Sequence, residues 1–302
     1  MGLLMKKVIK VAGYQGDASV HTRSMDFFIN ILSKTFDFEY QKDITLSGKK
    51  ASSLIEMTRN NNIQVSYLWS SYYEKLLPEI QLLDLPFYFQ NKKEVKDLIE
   101  IKFNGFVSEK LENNLNLKLL GFWDNGARHI STNRSFINDE NSCTDLKIRT
   151  TPSKLHINIF NRLGFKSCPL DVRDFKKALS NSEIDAQENP LTNFWNFGVQ
   201  NFQKYLTLSS HLFGFCLFVI NHYFFNKLNE LEKKLILEAS KETINYQYKL
   251  AEEDDKKLID IIKKENVQIY EMTNFEKNNL LRKVKDFHNK FFIKFPNMNF
   301  KL

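Results

Sequence analysis

The chain predicts an α/β protein built in two halves. Short runs rich in β-branched and aromatic residues alternate with helical stripes through the first two thirds. From Phe225 to Lys264 a helical rhythm continues with neither Gly nor Pro. The 302 residues exceed one ordinary core, so about two domains are expected.

In chain order, Val8–Gly13 reads as a strand, followed by a turn at Gly16-Asp17-Ala18-Ser19. Thr22–Thr35 is helical, with Met25, Phe28, Ile29, Ile31 and Leu32 on one stripe. Phe36–Tyr40 is a strand, Ala51–Asn60 a helix and Ile63–Trp69 a strand. Tyr72–Leu77 and Lys92–Glu109 read as helices on either side of Asp84-Leu85-Pro86-Phe87, and Leu117–Trp123 as a strand. This alternation predicts a parallel sheet covered by helices. Arg128–Thr132 and Lys147–Thr150 are strands. Pro152–Leu163 is a helix with Pro in its first turn and Gly164 to stop it. Val172–Ser180 is a helix that Asp171 is placed to cap. Leu206–Ser210 and Phe215–Asn221 read as separate strands. Phe225–Lys264 is one beam or two helices with a bend, followed by a strand at Val267–Tyr270 and a helix at Asn274–Phe292. With no low-complexity linker, several chain crossings rather than a tether join the halves.

Composition narrows the function classes. The apolar fraction of 42% supports globular folding, and 27 Phe dominate the aromatics. Gly (10) and Pro (6) are scarce, and neither a dinucleotide nor a P-loop glycine motif occurs. No cofactor is expected. Cys143, Cys168 and Cys216 lack zinc-like spacing or a disulfide pattern, and Cys216 lies in an apolar run that suits a core residue. That run, Leu212–Ile220, is too short to span a bilayer. The net charge of +7 is concentrated after Lys256, with eleven Lys/Arg against five Asp/Glu. Without an RNA or zinc signature, this reads as a solvated basic helix face, and no nucleic acid is expected. Glu252-Glu253-Asp254-Asp255 on the long helix also reads as a solvated face rather than a metal site.

One stretch carries more. It contains Gly126-Ala127-Arg128, Asn133-Arg134, Asp145-Leu146-Lys147-Ile148-Arg149, Leu163-Gly164-Phe165, Ala178-Leu179, Ile184-Asp185 and Gln187-Glu188-Asn189-Pro190-Leu191. Together with Asp84-Leu85-Pro86-Phe87, Lys204-Tyr205, Ser210-His211 and Asn221, it resembles the TRAP-transporter solute-binding proteins, the dicarboxylate-type periplasmic receptors. The resemblance runs from about Val8 to about Phe292. It implies a periplasmic-binding-protein-like, Venus-flytrap fold with a long helix spanning both domains. Domain I would be 1–126 plus 215–254 and domain II 127–214 plus 255–302, with a ligand cleft between them.

The resemblance also implies a binding site without catalysis. Arg149 would hold the ligand carboxylate, assisted by Arg128 and Asn189, because a guanidinium presents a planar fork that fits both carboxylate oxygens. Glu188 is implied to be a hinge or structural carboxylate. Some acid-sugar-binding members carry Asn where this chain has Pro152, Phe where it has Val172, and Glu at the place aligned with Trp69. A long polyhydroxy ligand is therefore disfavoured. Trp69, Phe213 and Phe194 suit a compact ligand with an apolar or cationic body instead, and Tyr14, in the first strand-to-helix loop, is a further cleft candidate. The implied partners are a small organic anion and TRAP membrane permease subunits. The implied location is periplasmic. Met1–Lys7 carries no h-region or cleavage site, so any leader is expected to have been cut away. The alternative is an α/β enzyme acting on a carboxylate, with His129 or Asp185 as base.

Overall fold

The computed structural model describes residues 6–139 and 141–300, so the expectation for Met1–Met5 lies outside the described residues. The strands are β1 (Lys7–Ala12), β2 (Phe36–Gln41), β3 (Val65–Trp69), β4 (Leu117–Thr132), β5 (Lys147–Thr150), β6 (Lys166–Pro169), β7 (Ala186–Pro190), β8 (Tyr205–Asn221) and β9 (Gln268–Glu271). The chain packs as two compact units. Unit 1 is Met1–Leu68, Lys102–Asp124 and Cys216–Ala251, and unit 2 is Trp69–Ile101, Asn125–Phe215 and Glu252–Leu302. β4, β8 and the 35-residue helix Glu230–Lys264 contribute to both. The α/β class and the long helix agree with expectation. No helix among the described residues is long and apolar enough to cross a membrane.

In unit 1 the strand order is β2-β1-β3-β8-β4, and β1 pairs in parallel with β2 and β3. The helix Val20–Leu32 begins at Ser19, whose side chain accepts the His21 amide. It buries Met25, Phe28 and Leu32, and Phe28 meets Phe218 edge-on at 5.1 Å between ring centroids. Trp123 stacks on Phe218 at 4.4 Å. Cys216 is buried as expected, 3.6 Å from His21 Nε2.

In unit 2 the order is β8-β4-β7-β5-β6, with β4 antiparallel to β7, β5 parallel to β6 and β7, and β9 parallel to β8. Two apolar cores form here. One gathers Ile130, Ile148, Ile159, Phe160, Phe165 and Val284, and the other Phe175, Leu179, Leu191, Phe194, Leu206 and Ile262. The helices Lys154–Leu163 and Val172–Ser180 follow their predicted stop and cap signals. Gly164 takes φ 110, and the Asp171 side chain accepts the Arg173 amide.

Several elements depart from expectation. β4 and β8 are each one continuous strand where the sequence predicts two. In β4, the Gln247 side chain pairs with both the amide (2.7 Å) and the carbonyl (2.6 Å) of Asp124, so the polar Asp124-Asn125 step need not become a turn. In β8, Ser210 takes φ 47 and gives its amide to His129 Nδ1, a local irregularity that the strand absorbs. β6 and β7 were not predicted as strands, because neither shows apolar alternation. The helix expected at Lys92–Glu109 is instead Lys92–Leu98, a π turn Ile99–Phe103 and a helix Asn104–Leu115. The long helix starts at Glu230, after a short separate helix His222–Asn226. The segment Trp69–Ile101, assigned by the sequence to the first domain, packs with unit 2. There Phe87 gives its amide to the His211 carbonyl (2.8 Å), and His288 Nε2 lies 2.9 Å from the Pro86 carbonyl.

Gly126, in the unit 2 part of β4, takes φ 85, and a Cβ there would lie 2.9 Å from Pro190 Cβ. Gly126→Ala is therefore expected to destabilise the fold by about 1–3 kcal/mol. Urea unfolding with an unchanged midpoint would contradict this.

Candidate functional site: a buried two-arginine cluster

The antiparallel ladder sets Arg128 opposite Pro190 and His129 opposite Asn189. The parallel ladder sets Arg149 beside Gln187 on one side and Cys168 on the other. β4 and β5 thus carry two arginines toward β7, and both are only 1% exposed. A buried guanidinium without partners is costly, so the placement of each one's hydrogen bonds decides its role.

Arg128 is fully engaged on one edge. Its Nε donates to Glu188 Oε2 at 2.5 Å and its Nη2 to Glu188 Oε1 at 2.8 Å. Nη2 also reaches the Glu188 carbonyl (2.9 Å) and Asn189 Oδ1 (3.3 Å). Trp69 covers the guanidinium, with its ring centroid 3.8 Å from Cζ, a cation–π contact. Nη1 is buried and has no acceptor among the described residues. Burial pushes the Glu188 carboxyl upward, but the Arg128 charge and the bonds from His211 and Arg128 outweigh it and hold that carboxyl below the usual carboxylate range. His211 Nε2 lies 3.4 Å from Glu188 Oε2, and its Nδ1 lies 2.8 Å from Ser209 Oγ.

Arg149 is held differently. Its Nε and Nη2 donate to the Leu170 carbonyl at 3.0 and 2.7 Å, and its Cζ sits 4.9 Å from the Phe175 ring centroid. No carboxylate lies within ion-pair distance among the described residues. Burial is the main influence that lowers its pKa; Tyr72 and Glu188 oppose, and the Arg128 charge adds to the lowering. The Tyr72 hydroxyl, bonded by the Val172 amide, lies in the field of Asp171, Arg149 and Arg128 together. The two arginines therefore share one electrostatic neighbourhood.

Trp69 joins further groups. It meets Tyr72 edge-on at 6.4 Å and His156 at 5.2 Å. His156 Nε2 lies 3.6 Å from Asp84 Oδ1, and Asp84 accepts from Ser71 Oγ at 2.6 Å. Asn189 donates to Gln187 Oε1 (2.5 Å), and its own Oδ1 accepts from Arg128 and, at 3.4 Å, from Asn193. Asn189 thus steadies Arg128.

The structure brings Arg128, Asn189 and Trp69 into contact, and the Arg128 charge acts on Arg149. Phe213 is buried on β8 and joins none of these ring contacts among the described residues, and Phe194 packs in the second core. Tyr14 belongs to unit 1, where its ring is 5.6 Å from Tyr67 and its hydroxyl accepts from Gln15 Nε2 at 3.2 Å. Sequence patterns left Tyr72, His156, His211 and Asp84 outside the site. Only the juxtaposition of Ser210-His211 with the Glu-Asn-Pro segment could have pointed to one of them.

His129 and Asp185, the bases of the enzymatic alternative, are both engaged in other bonds. His129 is buried, with its Nδ1 taken by the Ser210 amide, and burial lowers its pKa to about 3, with His211 lowering it further. Asp185 binds Arg134 at 3.0 Å and the Lys147 amide at 3.0 Å. No group of three His, Cys, Asp or Glu is placed to hold a metal among the described residues.

Residues 45–294 match the family model of the bacterial extracellular solute-binding proteins, family 7 (DctP), and the chain belongs to that family. This bears out the resemblance to TRAP-type receptors, and the family is one of binding proteins, not enzymes. A relative is the 2,3-diketo-L-gulonate-binding periplasmic protein YiaO of Escherichia coli (strain K12), 30% identical over 75% of this chain and 68% of its own. Another is the C4-dicarboxylate-binding protein DctB of Bacillus subtilis (strain 168), 28% identical over 76% of this chain and 66% of its own. The sugar acid binding protein DctPAm of Advenella mimigardefordensis strain DPN7T, solved with galactonate, shares the fold with a TM-score of 0.90 at 23% identity, covering 96% of this chain and 94% of that one.

Glu188→Gln is expected to cost about 3–5 kcal/mol at neutral pH by leaving Arg128 buried without its counter-charge. Because the folded carboxyl titrates below its unfolded value, wild-type Glu188 stabilises above the unfolded pKa of about 4.3, and that stabilisation fades as pH falls below it. The gap between wild type and variant, read by urea unfolding across pH, should therefore narrow below that pH; a constant gap would show that the pair is not what the substitution removes.

Proposed function

We propose that this chain is the periplasmic solute receptor of a TRAP-type importer. It captures a small organic acid, a monocarboxylate or dicarboxylate, and delivers it to membrane permease subunits. Arg149 carries this reading: a desolvated guanidinium whose bonds go to a carbonyl rather than to a carboxylate. A ligand carboxylate supplies the missing charge, and in a dry setting the attraction far exceeds its value in water. Arg128 and Asn189 assist from the flank, with Trp69 as an aromatic wall.

The binding of 2,3-diketo-L-gulonate and of C4-dicarboxylates by the relatives named above supports the organic-acid class. We take the ligand to be enclosed between two domains, with Tyr14 and Phe213 as further contacts. Pro152, Val172 and Trp69, at positions where acid-sugar receptors differ, favour a compact ligand.

Arg149→Lys tests the role most cleanly. It keeps the charge but removes the planar fork and one of the donors to Leu170. Affinity for the best organic acid in a thermal-shift screen is expected to fall by a factor on the order of 100, with circular dichroism unchanged. Undiminished affinity by calorimetry would reject Arg149 as the carboxylate holder.

A further inference from the structure

The helix Asn274–Lys294 carries a face used neither by its own core nor by the arginine cluster. Leu280, Val284, His288 and Phe291 bury its inner side. Phe275 and Ile293 lie on the opposite side, 71% and 81% exposed. They are 18 positions apart, five full turns, so both point the same way, about 27 Å apart along the axis. Between them the outward positions are polar or charged: Arg282, Asp286, Asn289 and Lys290. The helix holds six Lys/Arg against two Asp/Glu, and both acids are already engaged. Glu276 closes the capping box at Thr273 and accepts the Tyr270 hydroxyl at 2.7 Å. Asp286 lies between Lys290 (3.1 Å) and Arg162 of the neighbouring helix (3.4 Å). Arg282 donates to a neutral acceptor, Asn279 Oδ1, at 2.8 Å. Two hollows of about 500 and 440 Å³ open beside this face. Arg282 and Lys283 line one, Arg162 and Lys290 the other. Asp139, in the first, accepts the Ser142 amide.

We propose that this face docks on the surface of an anionic phospholipid bilayer. The helix lies flat on it, with Phe275 and Ile293 seated between headgroups and Arg282, Lys283, Lys290 and Arg162 meeting phosphates. The spacing of the apolar anchors selects this occupant. A protein interface gathers its apolar contacts at the centre and leaves polar groups to the rim. This face has the reverse arrangement. A bilayer surface is the same at every point, so anchors can stand at the two ends with cations between them. The test is co-sedimentation of the full chain with vesicles of phosphatidylcholine, alone or with about 30% phosphatidylglycerol. Binding is expected to be about tenfold or more tighter on the anionic vesicles and to be lost in about 0.5 M salt. Arg282→Gln with Lys290→Gln, and separately Phe275→Ser with Ile293→Ser, should each weaken it about fivefold or more, with circular dichroism unchanged. Equal binding to neutral and anionic vesicles, or binding that survives either double variant, overturns the proposal. So does retention on polyglutamate that matches the vesicles and ignores Phe275→Ser with Ile293→Ser, which would mark an acidic protein as the occupant. The receptor reading stands under each of these outcomes, because no residue of the arginine cluster is changed.

Discussion

The ion pair between Arg128 and Glu188 is the constraint on which the rest of the site depends. It joins β4 to β7 through side chains as well as through the ladder, and both partners are excluded from water. Such a pair adds little to stability compared with a well-packed apolar pair of the same size. It does fix direction. A guanidinium gripped on its Nε–Nη2 edge has its plane determined, so Trp69 can stack on its face and Nη1 must point to the remaining side. His211 and Ser209 extend the grip behind Glu188, and Asn189 with Gln187 and Asn193 extends it along β7. β7 is thus a strand whose cohesion comes from polar pairing, not from apolar packing.

This explains what the sequence could and could not reveal. Helices were legible where local chemistry decides them: Asp171 as a cap, Gly164 as a stop and the apolar stripe on Val20–Leu32 all act within a few residues. Arg128, Arg149 and Asn189 could be selected only by family pattern, because the pairing that distinguishes them spans 60 positions from Arg128 to Glu188. β7 was hidden for the same reason. Its Ala-Gln-Glu-Asn-Pro sequence has no apolar alternation, and its burial is made tolerable by partners on β4 and beyond. The continuity of β4 and β8 was hidden because Gln247 and His129, far along the chain, take up the backbone groups that a turn would otherwise have satisfied. Glu188 was expected to be structural, and its bonds to Arg128 agree; that it leaves Arg149 as the open charge could not be read from spacing.

The asymmetry between the arginines has an energetic meaning. Stripping a guanidinium of water is expensive, and a receptor that exposed its anion-binding group to solvent would bear that cost anew at each binding event. In this chain the cost is borne during folding. Arg149 is already buried, fixed by two bonds to the Leu170 carbonyl and packed against Phe175. A carbonyl dipole orients the fork without neutralising it, and burial lowers the pKa of the group. On the proposed reading, an arriving carboxylate would sacrifice only its own hydration and gain a charge-assisted, pre-aligned partner. Glu188 makes this possible by removing Arg128 from the competition. Two open guanidinium groups in one dry neighbourhood would repel each other and favour any dianion or inorganic anion.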